Sequence, residues 1–530
     1  MTSNQQHEDA NDRNPCIDPD QEEMVVIPTV NVGVVSQPPI SDDGRFRKGR
    51  LAGLNMNQAI WILAWPVVTE SFLNSFVGLV DTKLSASLSE GEAATDAIGG
   101  ASYIMWFIGL IIMALGVGAT ALISRSIGKG RIGVANTVLG QTMTLAAILG
   151  VFVGAGIWLI VPAVANMLNM SEQASEFFIS YMTIIALGVP MASVLFGMIA
   201  CSRGAGDSIS PLKAMIARNI VNIIASWGLS GITIYGITSP LQLNLGITGI
   251  AIGTVAGDIV GAAYIVHMAR SGKWSIKLKP SRMRLHRITI WRLIRLGIPN
   301  FLETFGLWIG NFFIILFVGF LTVQLKTDGL LGAHIIGIRI EAFSFMPGFG
   351  MGIAAATLAG QYLGMKRPDL AKQAVFRCTM IATSIMGLIG AAFILIPHQI
   401  TALLSDQPIH QELVPQLLII CGIVQIPFAI SIVFRSAMRG AGDVKVVMAL
   451  TWTATYALRL PIAYILSGVD IPIPEFLGGG ILKNPDLLHT TFGIESGLVA
   501  LWIGLCSEMV LRGIIFALRF FQGGWLKAKV

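Results

Sequence analysis

Apolar runs of about 20 residues recur along this chain, and a helix of that length crosses a hydrocarbon core of about 30 Å. Ile104–Ser124, Gly133–Met167 (which is expected to include a loop) and Cys378–Ile396 are examples. Runs of this length leave little choice of fold. In lipid every backbone N–H and C=O must be satisfied internally, and 20-residue spans do that as α-helices. Composition agrees with this reading. The 530 residues are 54% hydrophobic and 12% charged, whereas a soluble globular chain carries about 25% charged residues. That is too little charge to cover the surfaces of the several soluble domains a chain this long would form.

Twelve spans are expected, near 57–80, 98–122, 134–162, 176–200, 212–235, 247–269, 292–320, 332–359, 374–396, 412–434, 446–467 and 494–518. Lysine and arginine then segregate by loop. One side collects Arg45, Arg47, Lys48 and Arg50, then Arg125, Lys129 and Arg131, then Arg203 and Lys213, the cluster Arg270–Arg295, Lys366–Arg377, Arg435–Lys445, and Arg519, Lys527 and Lys529. The other side holds Lys83, Lys326 and Lys483. Positive residues remain cytoplasmic, so both termini are expected there in a multi-pass membrane protein. The net charge of +6 therefore reports topology and gives no reason to expect a nucleic-acid partner. The first 45 residues are polar, acidic and proline-containing, and are expected to be a disordered cytoplasmic tail. The five cysteines and seven histidines show no metal-ligand or redox spacing, and the cysteines read as small apolar fillers.

The chain repeats itself. Arg203-Gly204-Ala205-Gly206-Asp207 returns as Arg439-Gly440-Ala441-Gly442-Asp443, each after the fourth span of its half. Pro66-x-x-x-Glu70 returns as Pro299-x-x-x-Glu303, and Gly100-Ala101 as Gly332-Ala333. Subtracting these positions gives offsets between 232 and 236 residues, the near-constant spacing of a duplication. Six spans per half place both halves the same way up, with a path expected between them near the midplane. The expected division is an amino-terminal lobe at 46–270, a cytoplasmic linker at 271–291 and a carboxy-terminal lobe at 292–530. In the RGAGD loops, glycine permits the tight turn. The arginine is expected to anchor the interface, and the aspartate to cap the next helix or pair with that arginine.

With these motifs the chain resembles the multidrug and toxic compound extrusion (MATE) transporters, most closely bacterial members. The resemblance covers roughly 55–520. It rests on Pro66 with Asp81 in Gly78-Leu79-Val80-Asp81-Thr82, on Gly116-Val117-Gly118 through Arg125 with Gly128 and Gly130, on Gly332-Ala333-His334 through Gly364, and on the RGAGD pair. It implies an all-α integral membrane protein of twelve transmembrane helices in two pseudo-symmetric six-helix lobes around a central cavity. It also implies export of organic, often cationic, drugs or metabolites against entry of protons or sodium ions, with no cofactor beyond the coupling ion. The protein is expected to be a monomer whose partners are a small organic substrate and the bilayer.

Charges inside spans cost about 2.5 to 3.5 kcal/mol on insertion scales and are functional candidates by default. Asp81 matches the family's first-helix carboxylate, and the resemblance implies Asn222, Ser226 and Thr254 as its partners on spans five and six. Ser226 departs from the many relatives with aspartate there. The loss of that charge disfavours tight sodium binding. Glu303 and Glu341 are the candidates of the carboxy-terminal lobe, with Arg339 and Arg459 expected to neutralise them. Glu70 is the repeat partner of Glu303. Asp258, Glu508 and Arg512 read as span-end residues. Pro66 and Pro347, with Pro190, Pro427 and Pro461, lie inside spans and are expected to kink helices and free carbonyls near the path. Met105, Trp106 and Trp308 suit an adaptable cavity wall.

Two other readings are weaker. A flippase for lipid-linked precursors would carry several basic residues in its cavity, and here intramembrane bases are few and balanced by acids. An intramembrane enzyme needs a catalytic set, whereas His334 stands without an HExxH or GxSxG context. The glycine motifs Gly116-x-Gly118 and Gly348-x-Gly350-x-Gly352 lie inside apolar helices without a Walker lysine and read as helix-packing positions.

Overall fold

The computed structural model describes residues 51–88, 91–168, 170–233, 239, 243–473, 479–485 and 497–528; the tail expected at 1–45 lies outside them. Helices dominate: α1 (Met56–Ala86), α2 (Gly91–Gly128), α3 (Ile132–Met167), α4 (Glu172–Gly204), α5 (Ile209–Ser230), α6 (Gly246–Ser271), α7 (Arg287–Leu325), α8 (Leu330–Gly364), α9 (Pro368–Leu395), the short α10 (Pro397–Ala402), α11 (Pro408–Ile423), α12 (Gln425–Ala441), α13 (Val444–Trp452), α14 (Leu460–Ser467) and α15 (Leu498–Gln522). A seven-residue π-helical stretch, Thr453–Arg459, joins α13 to α14. Two-residue strands β1 (Ile471–Pro472) and β2 (Ile481–Leu482) pair antiparallel in the segment before α15.

Ten of these helical segments are long and apolar enough to span a bilayer, counting Val444–Ser467 as one. Helices α11 and α12 form an eleventh, bent by 57°. The span expected at 412–434 is thus broken. Pro427, at the third position of α12, has no N–H to continue the ladder of α11. Its repeat counterpart Pro190 is accommodated within the unbroken α4. The twelfth span is α5, which falls short of that apolarity because it carries Arg218, Asn219, Asn222 and Ser226. Its polarity marks a site. α1 runs past the expected end at residue 80 to Ala86, so Asp81 lies inside the helix, and α3 is one unbroken helix over Ile132–Met167, without the loop expected in that run.

Sequence explains the ends. Asn55 and Gln58 form a reciprocal capping box on α1. In the RGAGD loops Gly206 (φ 88°) and Gly442 (φ 93°) take the left-handed turn that favours glycine. Asp207 caps α5, accepting from the N–H of Ile209 (3.0 Å) and Ser210 (3.2 Å). Asp443 instead accepts from Arg519 at 2.8 Å. Neither aspartate uses the arginine of its own loop.

In the amino-terminal half α3 and α6 pack on α4, and α5 on α6; in the carboxy-terminal half α9 and α12 pack on α8, and α15 on α12. The halves meet through α1 against α8 and α2 against α7 and α8. This seam is built on glycine. A Cβ on Gly128 would strike the Gln361 carbonyl, one on Gly364 would come within 2.5 Å of the Arg125 carbonyl, and one on Gly118 within 2.9 Å of the Leu293 carbonyl. Thr357 donates across the seam to the Arg203 carbonyl (3.1 Å) and Gln361 to that of Gly204 (3.4 Å). Basic residues gather at this end. Lys129 lies in the field of Arg131, Arg125, Arg292 and Lys366, and burial, then these like charges, hold its ammonium below the ordinary lysine range. The segment between α6 and α7 is packed here. Trp274, Ile276 and Leu278 are buried, and Gln141 of α3 donates to the Arg282 carbonyl (3.0 Å) and accepts from the His286 N–H (2.9 Å).

Candidate functional site

Three polar assemblies lie within the spans. The first joins α1, α4, α5 and α6. Asn222 donates to the Thr254 hydroxyl at 3.0 Å, and both Thr254 and Ser226 donate to the Ile250 carbonyl at 3.2 Å. Gly253 permits this closeness, since a Cβ there would collide with Ser226. Arg218 sits one turn before Asn222 on α5, and its Nε lies 2.5 Å from Oδ1 of Asp258. Asp81 feels the charge of Arg218, and Tyr181 of α4 feels that of Asp81 while reaching the Thr254 side chain. Oδ1 of Asp81 and Oδ1 of Asn222 are both buried without a hydrogen-bond partner. The arrangement is a carboxylate with free acceptor capacity next to one guanidinium and a set of neutral oxygens.

The structure therefore gathers Asp81, Asn222, Ser226 and Thr254 into one region. It adds Arg218, Asp258 and Tyr181. Asp258 is in the middle of α6 and paired with Arg218, not a span-end residue. A buried charge on one helix needs a partner on the next, so Arg218 and Asp258 could have been paired from sequence by their like depth on adjacent antiparallel spans. Tyr181 carried no signal.

The second assembly corrects the expected partners of Glu303. Its carboxylate is fully buried. Arg439 of the second RGAGD motif approaches Oε1 at 2.7 Å and Oε2 at 3.0 Å, Thr451 donates at 2.9 Å, and Arg435 stands 3.9 Å away. Arg339 and Arg459 take no part. The repeat mate is present: Arg203 lies 2.6 Å from Glu70. In both halves the arginine of the loop clasps the glutamate one turn beyond the proline of the first helix.

Glu341 belongs to a third assembly, on α8, α11, the π stretch and α15. It lies in the field of Arg459 and within hydrogen-bonding reach of Cys421. Arg459 also faces Glu508, and Arg512 holds Glu508 at 2.6 Å in the middle of α15, so these two are not span-end residues either. Oε2 of Glu508 and Nε of Arg459 are buried without partners. Arg339, expected here, is exposed. His334 accepts from the Trp502 indole at 3.0 Å and packs against its ring.

Aromatic side chains bridge the halves. Trp106 of α2 meets Trp308 of α7 edge to face at 4.4 Å between centroids, Phe107 meets Phe301 and Phe305, and Phe72 of α1 stacks on Phe343 of α8. Trp106 is 59% exposed and Phe343 47%, so these faces remain available beside the seam.

Twelve spans in two repeated halves, with a small set of buried ion pairs within them, define a multi-pass membrane transporter of two six-helix lobes. The MatE family model matches residues 66–227 and 299–465, one match per half, each beginning at the repeated proline. The chain belongs to this family of transporters. It is 24% identical over 471 residues to a probable multidrug resistance protein NorM of Thermotoga maritima, covering 88% of this chain and 93% of the relative. It is 23% identical over 414 residues to the multidrug resistance protein PmpM of Pseudomonas aeruginosa, covering 77% and 83%. Among solved structures, a Vibrio cholerae MATE transporter, VcmN in the bent form, superposes with a TM-score of 0.75 at 17% identity, covering 88% of this chain and 97% of that one. A MOP superfamily transporter from Pyrococcus furiosus gives 0.75 at 19% identity, covering 90% and 97%.

Proposed function

We propose that the protein is a proton-coupled secondary exporter of organic, often cationic, compounds, working in the bacterial inner membrane with its basic end and both termini in the cytoplasm. The observation that carries this reading is the buried, unpartnered Oδ1 of Asp81 beside Arg218 and the Asn222–Thr254 pair. A carboxylate in such a place takes up and releases a proton without a partner having to leave. Sodium fits less well. A hard cation wants anionic oxygens; Ser226 supplies a neutral one, Asp258 is held by Arg218, and the Arg218 charge repels a second cation. The relatives' names support efflux of several drugs. The exposed Trp106, Phe107 and Phe343 between the halves suit flat, cationic organic molecules, which aromatic faces attract. Glu303 and Glu70 are assigned to structural clasps, and Glu341 with Arg459 to a secondary charged assembly.

The test is reconstitution in proteoliposomes loaded with a fluorescent organic cation. A pH gradient should drive transport and a sodium gradient at equal pH should not. Transport driven by sodium alone would replace the proton assignment, and no transport under either gradient would reject the exporter reading.

A further inference from the structure

A groove of about 650 Å³ opens between the first turns of α1 and the start of α9, lined by Asn57, Trp61, Gln373, Phe376, Arg377 and Met380. α1 belongs to the amino-terminal half and α9 to the carboxy-terminal half, so the groove bridges the two. Both helices rise in the same direction from the basic end, where Leu51 packs beside Gly206 and Gly364 beside Arg125. The lining is ordered along that direction. Asn57 and Gln373 sit lowest, Arg377 one turn above Gln373, and Trp61 and Met380 further up. Trp61 is 47% exposed, Phe376 46% and Met380 50%.

Arg377 is the unusual member. Its Nη1 donates to the neutral Asn57 carbonyl at 3.0 Å, and no carboxylate among the described residues pairs with it. A guanidinium offers five donors in a planar fork and suits phosphate oxygens in two-point contact. A cation low in the groove with an apolar channel above it reproduces the polarity of a lipid in one leaflet: phosphate at the interface, acyl chain toward the bilayer centre.

We infer that this groove binds an anionic phospholipid of the leaflet at the basic end, its phosphate on Arg377 and one acyl chain along Trp61, Phe376 and Met380. The bound lipid touches both halves and stabilises the arrangement in which they meet. This goes beyond the transport reading and does not depend on the coupling ion.

The experiment uses the full chain purified in a mild detergent, with thermal unfolding and native mass spectrometry as readouts. Added phosphatidylglycerol should raise the Tm by several degrees, and about one molecule should survive delipidation. Phosphatidylcholine should do neither. Arg377→Gln, which can still donate to Asn57, should lose the Tm response and at least tenfold in retained lipid. Met380→Trp, which fills the channel but keeps the charge, should lose them too. Arg284→Gln, a cation at the same end but outside the groove, should keep both. The proposal is overturned if Arg377→Gln or Met380→Trp responds like the parent, if phosphatidylcholine matches phosphatidylglycerol, or if inorganic phosphate alone gives the same shift.

Discussion

Arg203 holds Glu70 at 2.6 Å, and 236 residues later on the arginine side Arg439 holds Glu303 at 2.7 Å. The duplication therefore preserved an interaction between two distant motifs, a proline–glutamate turn and an arginine–glycine loop. The two copies are not equal. The two arginines are equally exposed, at 17% and 18%, but the Glu303 side chain is fully buried with three partners, whereas that of Glu70 is 8% exposed. Removing one partner of a fully buried pair costs about 3 to 5 kcal/mol. Arg439→Met should accordingly lower the Tm sharply and reduce the folded yield, and Arg203→Met should do so less. Equal losses measured by fluorescence-detected size exclusion after heating would contradict the ranking.

Asp81→Asn keeps size and most hydrogen-bonding capacity but cannot titrate. The variant should insert and bind a fluorescent cation like the parent, yet lose at least tenfold in pH-gradient-driven efflux across a pH series. Wild-type efflux would move coupling away from the amino-terminal assembly.

The Glu341–Arg459 relation is open to a double-mutant cycle. Arg459→Met alone leaves Glu341 and Glu508 short of positive charge and should destabilise the protein. Adding Glu341→Gln should restore a large part of the lost Tm. Additive losses would show that the two side chains are not coupled.

Gly128→Val places a branched side chain against the Gln361 carbonyl, where a Cβ already collides. The seam should be wedged open and transport should fall at least tenfold. In that background a Ser124→Cys probe, on a residue otherwise fully buried, should become reactive to a polar maleimide. A probe that stays protected would show that the seam closes regardless.

The orientation is checked by tags. In right-side-out vesicles a tag near Asn484 should be accessible and one at the carboxyl terminus protected. An exposed carboxyl terminus would invert the topology.

Much of the fold was legible in sequence because lipid imposes simple rules. Apolar length set the spans, and the repeated prolines and RGAGD loops set the halves. The break at Val424 was not legible, because Pro190 and Pro427 look alike in sequence and only packing decides which helix breaks. The grouping of Asp81 with Asn222, Ser226 and Thr254 was implied by the family resemblance carried over onto these positions. The partners of the buried charges did not. Depth estimates put Arg339 and Arg459 near Glu303, but helix rotation decides which side chains face each other. It turned Arg339 outward and brought Arg439 in from the end of α12. The same rotation paired Asp258 with Arg218.

The seam of α2 against α7 and α8 has a further consequence. Where backbone meets backbone through Gly118, Gly128 and Gly364, few rotamers are frozen on closing or released on opening. Contact of this kind has no side chain that can swing aside on its own to leave a narrow leak. The halves must part along the whole line or not at all, so this end should conduct nothing while it is shut, and its opening should be all-or-none and governed by the tilt of whole helices.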